Sequence, residues 1–180
     1  MEERSTETIK GYYLCSYPLR EGSVVEKGNW GRIIQKNPNF QLYKGMRING
    51  RFSSGVIFVN PQDQYIIREL IFERVRKKEF PYAPSRLNCI FVCKTLEGAK
   101  NFKSESGRNL DLIYEVEPTD RPMSSRKLET DWSWINSIIN KSLHEVEEVA
   151  RKYWRGEIRD PRKRELLWDC GVRILHKVDV

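Results

Sequence analysis

Two histidines, His144 and His176, and four cysteines, Cys15, Cys89, Cys93 and Cys170, make up the imidazole and thiol chemistry of this 180-residue chain. The histidines lie far apart, one beside the apolar stripe of a helical segment and one near the C-terminus, so each reads as structural or solvated rather than as a general base. The cysteines sit inside apolar runs, as small buried hydrophobes do in a reducing compartment. Cys89 and Cys93 are the nearest pair, and four residues apart on a strand they face one side, which fits packing and not a zinc cage; no metal is expected. There is no Gly-x-Gly-x-x-Gly, Walker loop, His-Glu-x-x-His or Gly-x-Ser-x-Gly, which removes support for Rossmann dehydrogenases, P-loop enzymes, zincins and elbow hydrolases. Any chemistry falls to carboxylates, tyrosines and arginines.

The elements that must position them follow from patterning. Gly11–Tyr17 reads as an aromatic first strand stopped by Pro18. Gly28 and Gly31 flank Asn29 and Trp30 and mark either a close approach to a ligand or a plain hairpin turn. Residues 62–78 alternate apolar and paired charged positions at helical spacing, with Glu69, Glu73 and Arg76 on one face, a row that beside a cleft could hold substrate but is more often a chain of ion pairs, and that is given a minor supporting role. Leu87–Cys93 is an almost wholly apolar strand, and Thr95 caps a short helix holding Leu96, Ala99 and Phe102. Leu112–Glu117 is another strand. From Thr130 or Asp131 a long helix is predicted through Tyr153, ended by Gly156. Glu165–Asp169 and Gly171–Leu175 then read as two strands across a turn. Gly55–Val59 is a short apolar segment, strand or buried connection. The order is that of an α+β domain over residues 11–180, preceded by a frayed residue 1–10 segment.

Charge and composition bound the partners. The chain carries 32 Lys and Arg against 25 Asp and Glu, a net +7, concentrated at 74–78, 121–127 and 151–164. Such a field draws polyanions, although any one cluster also serves as a solvated face. No apolar run reaches the roughly 20 residues of a bilayer span, and Met1–Lys10 lacks the apolar core of a signal peptide. A cytoplasmic protein without a membrane segment is expected.

Three stretches in order carry a family resemblance: Pro84–Val92, then Leu96–Phe102, then Ile113–Glu117. Together they resemble the middle of the ADP-ribosyltransferase superfamily. The closing run from Tyr153–Gly156 to Glu165–Ile174 is similar to the segment in which that family's catalytic glutamate opens a strand. Tyr12–Cys15 resembles the first strand of the nucleic-acid-modifying toxin branch. The resemblance implies a single-domain fold of two small packed sheets flanked by helices, and NAD as substrate. It makes Glu165 the catalytic carboxylate, with Tyr13, Trp30, Arg32, Ser85 and Arg86 on the dinucleotide. Tyr13 stands where the family carries His or Arg, so that contact falls to Tyr13, Arg32 or Arg86, and of the family's small polar triplet only Ser85 and Asn88 are available.

Cleavage of nicotinamide from NAD creates an oxocarbenium-like ribose, which a fixed carboxylate stabilises much as in glycosidases. Arginine forks suit a pyrophosphate, and Tyr13 or Trp30 suits stacking. Without the resemblance Glu165 reads as an exposed strand-edge acid, Trp30 as core packing and Arg86 as a surface ion pair worth ~0.5 kcal/mol. The basic balance and Trp132 and Trp134 beside Arg126 and Lys127 favour RNA or DNA over protein as acceptor, with Arg126, Lys127 and Trp132 as its contacts. A toxin of a bacterial toxin–antitoxin or antiphage system, neutralised by an antitoxin protein, follows from the resemblance. The alternatives are a non-enzymatic nucleic-acid-binding module and a ribonuclease toxin that needs no NAD.

Overall fold

Strand-forming runs and helices, two of them with side-chain N-caps at Thr95 and Ser142, build a mixed α+β structure around one antiparallel sheet. A computed structural model describes residues 9–45, 61–120, 126–135 and 141–179. In chain order the strands are β1 (Gly11–Cys15), β2 (Val24–Val25), β3 (Ile90–Cys93), β4 (Leu112–Pro118), β5 (Lys127–Asp131), β6 (Arg164–Trp168) and β7 (Val172–Val178). The helices are α1 (Asn29–Lys36), α2 (Phe40–Gly45), α3 (Gln64–Glu79), α4 (Leu96–Glu105) and α5 (Leu143–Trp154). Single 3-10 turns occupy 86–88, 132–134 and 161–163. The apolar segment at 55–59 lies outside the described residues, as do residues 1–8 of the N-terminal segment.

The strands pair in the order β2-β7-β4-β1-β3-β6-β5. This corrects the expected two separate sheets to one continuous hydrogen-bonded sheet. The two halves of this sheet meet at a narrow seam, where β1 and β3 share a single register pair, Tyr12 with Cys93. Across that seam the sheet must bend sharply. Adjacent strands lie about 4.8 Å apart, so in a flat sheet β6 and β7 would stand four spacings, about 19 Å, from one another. The four-residue step from Trp168 to Val172 reaches at most about 14 Å. Folding at the seam brings Val92, Leu166 and Trp168 of one half against Tyr114, Val116, Val172 and Ile174 of the other in one apolar cluster.

The opposite face of β3 and β6 is covered by α3 and α5. Ile67, Ile71, Phe72 and Val75 of α3 meet Leu143, Val146, Ala150, Tyr153 and Trp154 of α5 over Cys89 and Leu167. The Trp154 indole donates to the Phe72 carbonyl at 2.9 Å and clamps the two helices. A capping box of Ser142 and Glu145 starts α5, and Gly156, at φ +71°, ends it. The predicted helix start at Thr130 or Asp131 is therefore too early. Thr130 and Asp131 end β5, and Asp131 instead accepts from the backbone N–H groups of Ser133, Arg159 and Asp160 at 2.7, 2.8 and 2.6 Å. A carboxylate that satisfies three amides favours a turn over helix entry.

Two further expectations change. Residues 29–36 form helix α1, and the tight Gly28–Gly31 backbone approaches the protein itself: a Cβ at Gly31 would stand 1.8 Å from the Leu87 carbonyl oxygen. β6 and β7 are both strands but do not form a hairpin, since β6 pairs with β3 and β5 while β7 pairs with β4 and β2.

Candidate functional site

Glu165 lies near the start of β6, opposite Cys93 on β3 and Thr130 on β5. Alternation sends Leu166 and Trp168 into the folded sheet and leaves Glu165 and Leu167 on the helix-covered face. There the carboxylate is 7% exposed, which removes the reading of an exposed edge acid. The Tyr153 hydroxyl, projecting from α5, donates to Glu165 Oε1 at 2.8 Å. Arg86 Nη1 stands 3.6 Å from the same oxygen and also donates to the Tyr153 hydroxyl.

Arg86 is set by the 3-10 turn that leads into β3, which Ser85 caps by accepting from the Leu87 N–H. Its guanidinium forms a two-point pair with Glu69 of α3, Nε to Oε2 at 2.9 Å and Nη2 to Oε1 at 3.1 Å. It also lies over the Phe91 and Tyr153 rings, 4.7 and 5.0 Å from their centres. Arg86 is 6% exposed, so it is a buried charge held between two carboxylates and not a surface ion pair.

The electrostatics separate the two acids. Burial pushes Glu69 up, but Arg86 and Arg68 outweigh it and hold the carboxyl below its usual range. For Glu165 burial wins over the same arginine and the tyrosine hydroxyl, and its pKa is raised. Burial lifts Tyr153 well above an ordinary phenol, so it stays neutral and able to donate. Burial disfavours the Arg86 charge, yet Glu69, Tyr153 and Glu165 together hold it firmly protonated. The result is a carboxylate with one oxygen fixed and its second, Oε2, without a hydrogen bond among the described residues.

The other sequence-derived residues distribute unevenly. Trp30 on α1 reaches toward Glu69 and helps hold that carboxylate charged, while its indole N–H falls short of a hydrogen bond and remains buried without a partner. Ser85 sits beside Arg86 but donates to Glu73 Oε2 at 2.9 Å. Arg32 is exposed, with Nη1 donating to the Lys27 carbonyl at 2.9 Å. Tyr13 is in register with Tyr114 and packs against the inner sheet cluster, the face opposite Glu165. Burial there, reinforced by Cys15 and Tyr17, pushes its phenol up to about 12. Arg126 and Lys127 are exposed at the far end of β5 from Thr130, whereas Trp132 follows β5 at the Glu165 end. The expected acceptor set is thus split. Among the described residues no group of three or more His, Cys, Asp or Glu is arranged to hold a metal ion.

The sequence places Tyr153 in a helix stripe and in the closing run of the resemblance, and Glu69 in a charged row with a minor supporting role, but marks neither as a partner of Arg86. The available signal was Glu69 at i−4 from Glu73 on the face that meets the Ser85–Arg86 turn. Among the described residues no helix is long and apolar enough to cross a membrane. Residues 5–180 match the family described as Protein of unknown function (DUF2441), and the chain belongs to that family. No curated protein matches it.

Proposed function

We propose that this member of the DUF2441 family is a NAD-dependent ADP-ribosyltransferase that modifies RNA or DNA, the toxin of a bacterial toxin–antitoxin or antiphage system. Glu165 is its catalytic carboxylate. The observation that carries the reading is the Glu165 side chain itself: Oε1 is held by Tyr153 and Arg86, and Oε2 is left for a substrate. A carboxylate fixed in a site of low dielectric is worth most where positive charge develops in the transition state. In this reading the C1′–N bond of NAD breaks, nicotinamide leaves with the bonding electron pair, and Glu165 holds a ribose hydroxyl and stabilises the ribosyl cation. An acceptor N–H or O–H then bonds to C1′ and loses its proton to solvent.

The other residues take roles that their geometry permits. Arg86 is spent on two carboxylates and orients Glu165, leaving exposed Arg32 for the pyrophosphate. Trp30, half-buried on α1 with its N–H turned toward Glu69, is the ring assigned to stacking on the dinucleotide. Tyr13, on the opposite face, does not join this group.

A second reading is favoured by the closed Glu69–Arg86–Glu165 pairing, which a purely structural ion network would also produce. In that case the protein is a nucleic-acid-binding module without NAD chemistry. Nicotinamide release from NAD by the wild-type chain and by Glu165→Gln separates the two. The transferase reading expects release by wild type and a loss of at least about 100-fold in the variant. The variant should melt within a few degrees of wild type, because glutamine still accepts from Tyr153. No release by folded wild type, or equal release by both, refutes it.

A further inference from the structure

We propose that Trp132, Trp134, Lys152, Arg159 and Lys163 form the surface that binds single-stranded nucleic acid and presents it to Glu165, an inference that rests on the transferase reading. Trp132 and Trp134 lie in the 3-10 turn that leaves β5, and both are partly exposed. Lys152 Nζ and Arg159 Cζ stand 5.1 and 5.7 Å from the Trp134 ring centre, and Lys163 Nζ stands 4.7 Å from that of Trp132. Three cations from α5, the 157–160 loop and the turn before β6 therefore converge on two indoles.

Two of the cations on this surface, Lys152 and Arg159, are not neutralised among the described residues. Residues 151–164 contain seven Lys and Arg against Glu157 and Asp160. Those two acids pair with Arg155 and Arg162, and Arg151, Lys163 and Arg164 pair with Glu79, Glu105 and Glu129 outside this stretch. Asp131, the nearest buried carboxylate, is filled by three backbone amides. Lys152 and Arg159 consequently have no carboxylate partner among the described residues, and Arg159 is exposed. The Trp132 indole N–H is also without a partner.

Register ties the surface to the candidate active site. Glu165 is opposite Thr130 and Arg164 opposite Asp131, so Trp132 begins two residues past the cross-strand partner of Glu165, and Lys163 is two residues before it. Two residues of strand span about 7 Å. Two indoles, one of them beside the unneutralised Lys152 and Arg159, fit a strand whose phosphates meet the charges and whose bases stack on the rings. In a duplex the base faces are occupied by one another, and an acidic protein offers charge without such rings.

The test is fluorescence anisotropy of end-labelled twelve-nucleotide single strands, oligo-U and oligo-dT, and of a matching duplex, titrated with the full chain from 50 to 200 mM salt. K152E/R159E is the principal variant and K152Q/R159Q the milder one if charge reversal impairs folding. Wild type should bind single strands more tightly than duplex. Either folded variant should bind at least tenfold more weakly at 50 mM salt, with the slope of log affinity against log salt reduced by about 1.4, two phosphates at roughly 0.7 each. Unchanged affinity in a folded variant, preference for duplex, or no strand binding by wild type overturns the surface. Nicotinamide release from NAD in water is read on the same samples. Release without strand binding, with label recovered only on protein, overturns the surface and leaves the transferase reading standing. Strand binding without release overturns the transferase reading and leaves the surface standing.

Discussion

Replacing Arg86 with methionine keeps the unbranched apolar stem of the side chain and removes the one charge that faces both Glu69 and Glu165. Both carboxylates are buried, so neither regains water when its partner is lost. Breaking a buried ion pair in this way costs about 3–5 kcal/mol. At about 2.1 cal/mol/K per residue a 180-residue chain unfolds with an entropy near 0.38 kcal/mol/K, which turns that cost into a melting-temperature drop of about 8–13 °C. The loss should also depend on pH. In wild type Glu69 is held low, so its contribution is present above the ordinary carboxylate pKa of about 4.3 and disappears as pH falls through its native value. Glu165 is raised, so its contribution is present below the ordinary value and is lost as pH rises through its native one. Without Arg86, burial governs Glu165 and only Arg68, 3.3 Å away, still opposes it at Glu69, so stability falls as pH climbs. The gap between wild type and Arg86→Met should be widest near pH 7–8 and narrow toward pH 5. Adding Glu165→Gln removes the acid left without a cation, while Glu69 keeps Arg68 at 3.3 Å, and should recover roughly half of the loss. Thermal melts at several pH values provide the assay. A variant that melts within about 3 °C of wild type at pH 7, or a gap that does not change with pH, refutes the reasoning.

Other sites give independent expectations. Gly31→Ala places a methyl where 1.8 Å separates it from the Leu87 carbonyl oxygen, so α1 must shift off the 86–88 turn at a cost of about 3 kcal/mol; a melting temperature equal to wild type would contradict that contact. Asp131→Ala leaves three amides without their acceptor and should cost about 3 kcal/mol, with limited proteolysis concentrating at residues 156–160. Ser142→Ala removes the capping box of α5 and should lower the melting temperature by about 2–4 °C, the equivalent of roughly 1 kcal/mol.

Local rules made much of the fold legible. Strand β4 and helix α4 with its Thr95 cap follow from runs and caps that tertiary context does not oppose. Helix α3 follows from charge pairing as much as from apolar spacing. What escaped was decided by contacts distant in sequence. The Gly28–Gly31 stretch looks like a turn until Leu87 is placed against it. Thr130 and Asp131 are good helix caps in isolation, yet Asp131 is drawn away by amides at 159 and 160. β6 and β7 are three residues apart and look like a hairpin, but the fold at the Tyr12–Cys93 seam sends them to opposite halves of the sheet. The site shows the same division. Glu165 and Arg86 were visible as residues, and the worth of Arg86 rises from that of a surface pair to several kcal/mol only because burial removes solvent screening. Tyr153 was visible as part of an apolar stripe and of the closing run that carries the resemblance, and nothing in the sequence marked its hydroxyl as a partner of Glu165.

The most direct test of the central claim supplies NAD labelled in its ADP-ribose half to purified wild-type and Glu165→Gln protein, with separate pools of RNA, DNA and cell protein. The account predicts covalent label on one nucleic-acid pool, released nicotinamide in equal amount, and neither with Glu165→Gln. Intact NAD and unlabelled pools after incubation with folded wild-type protein would contradict it.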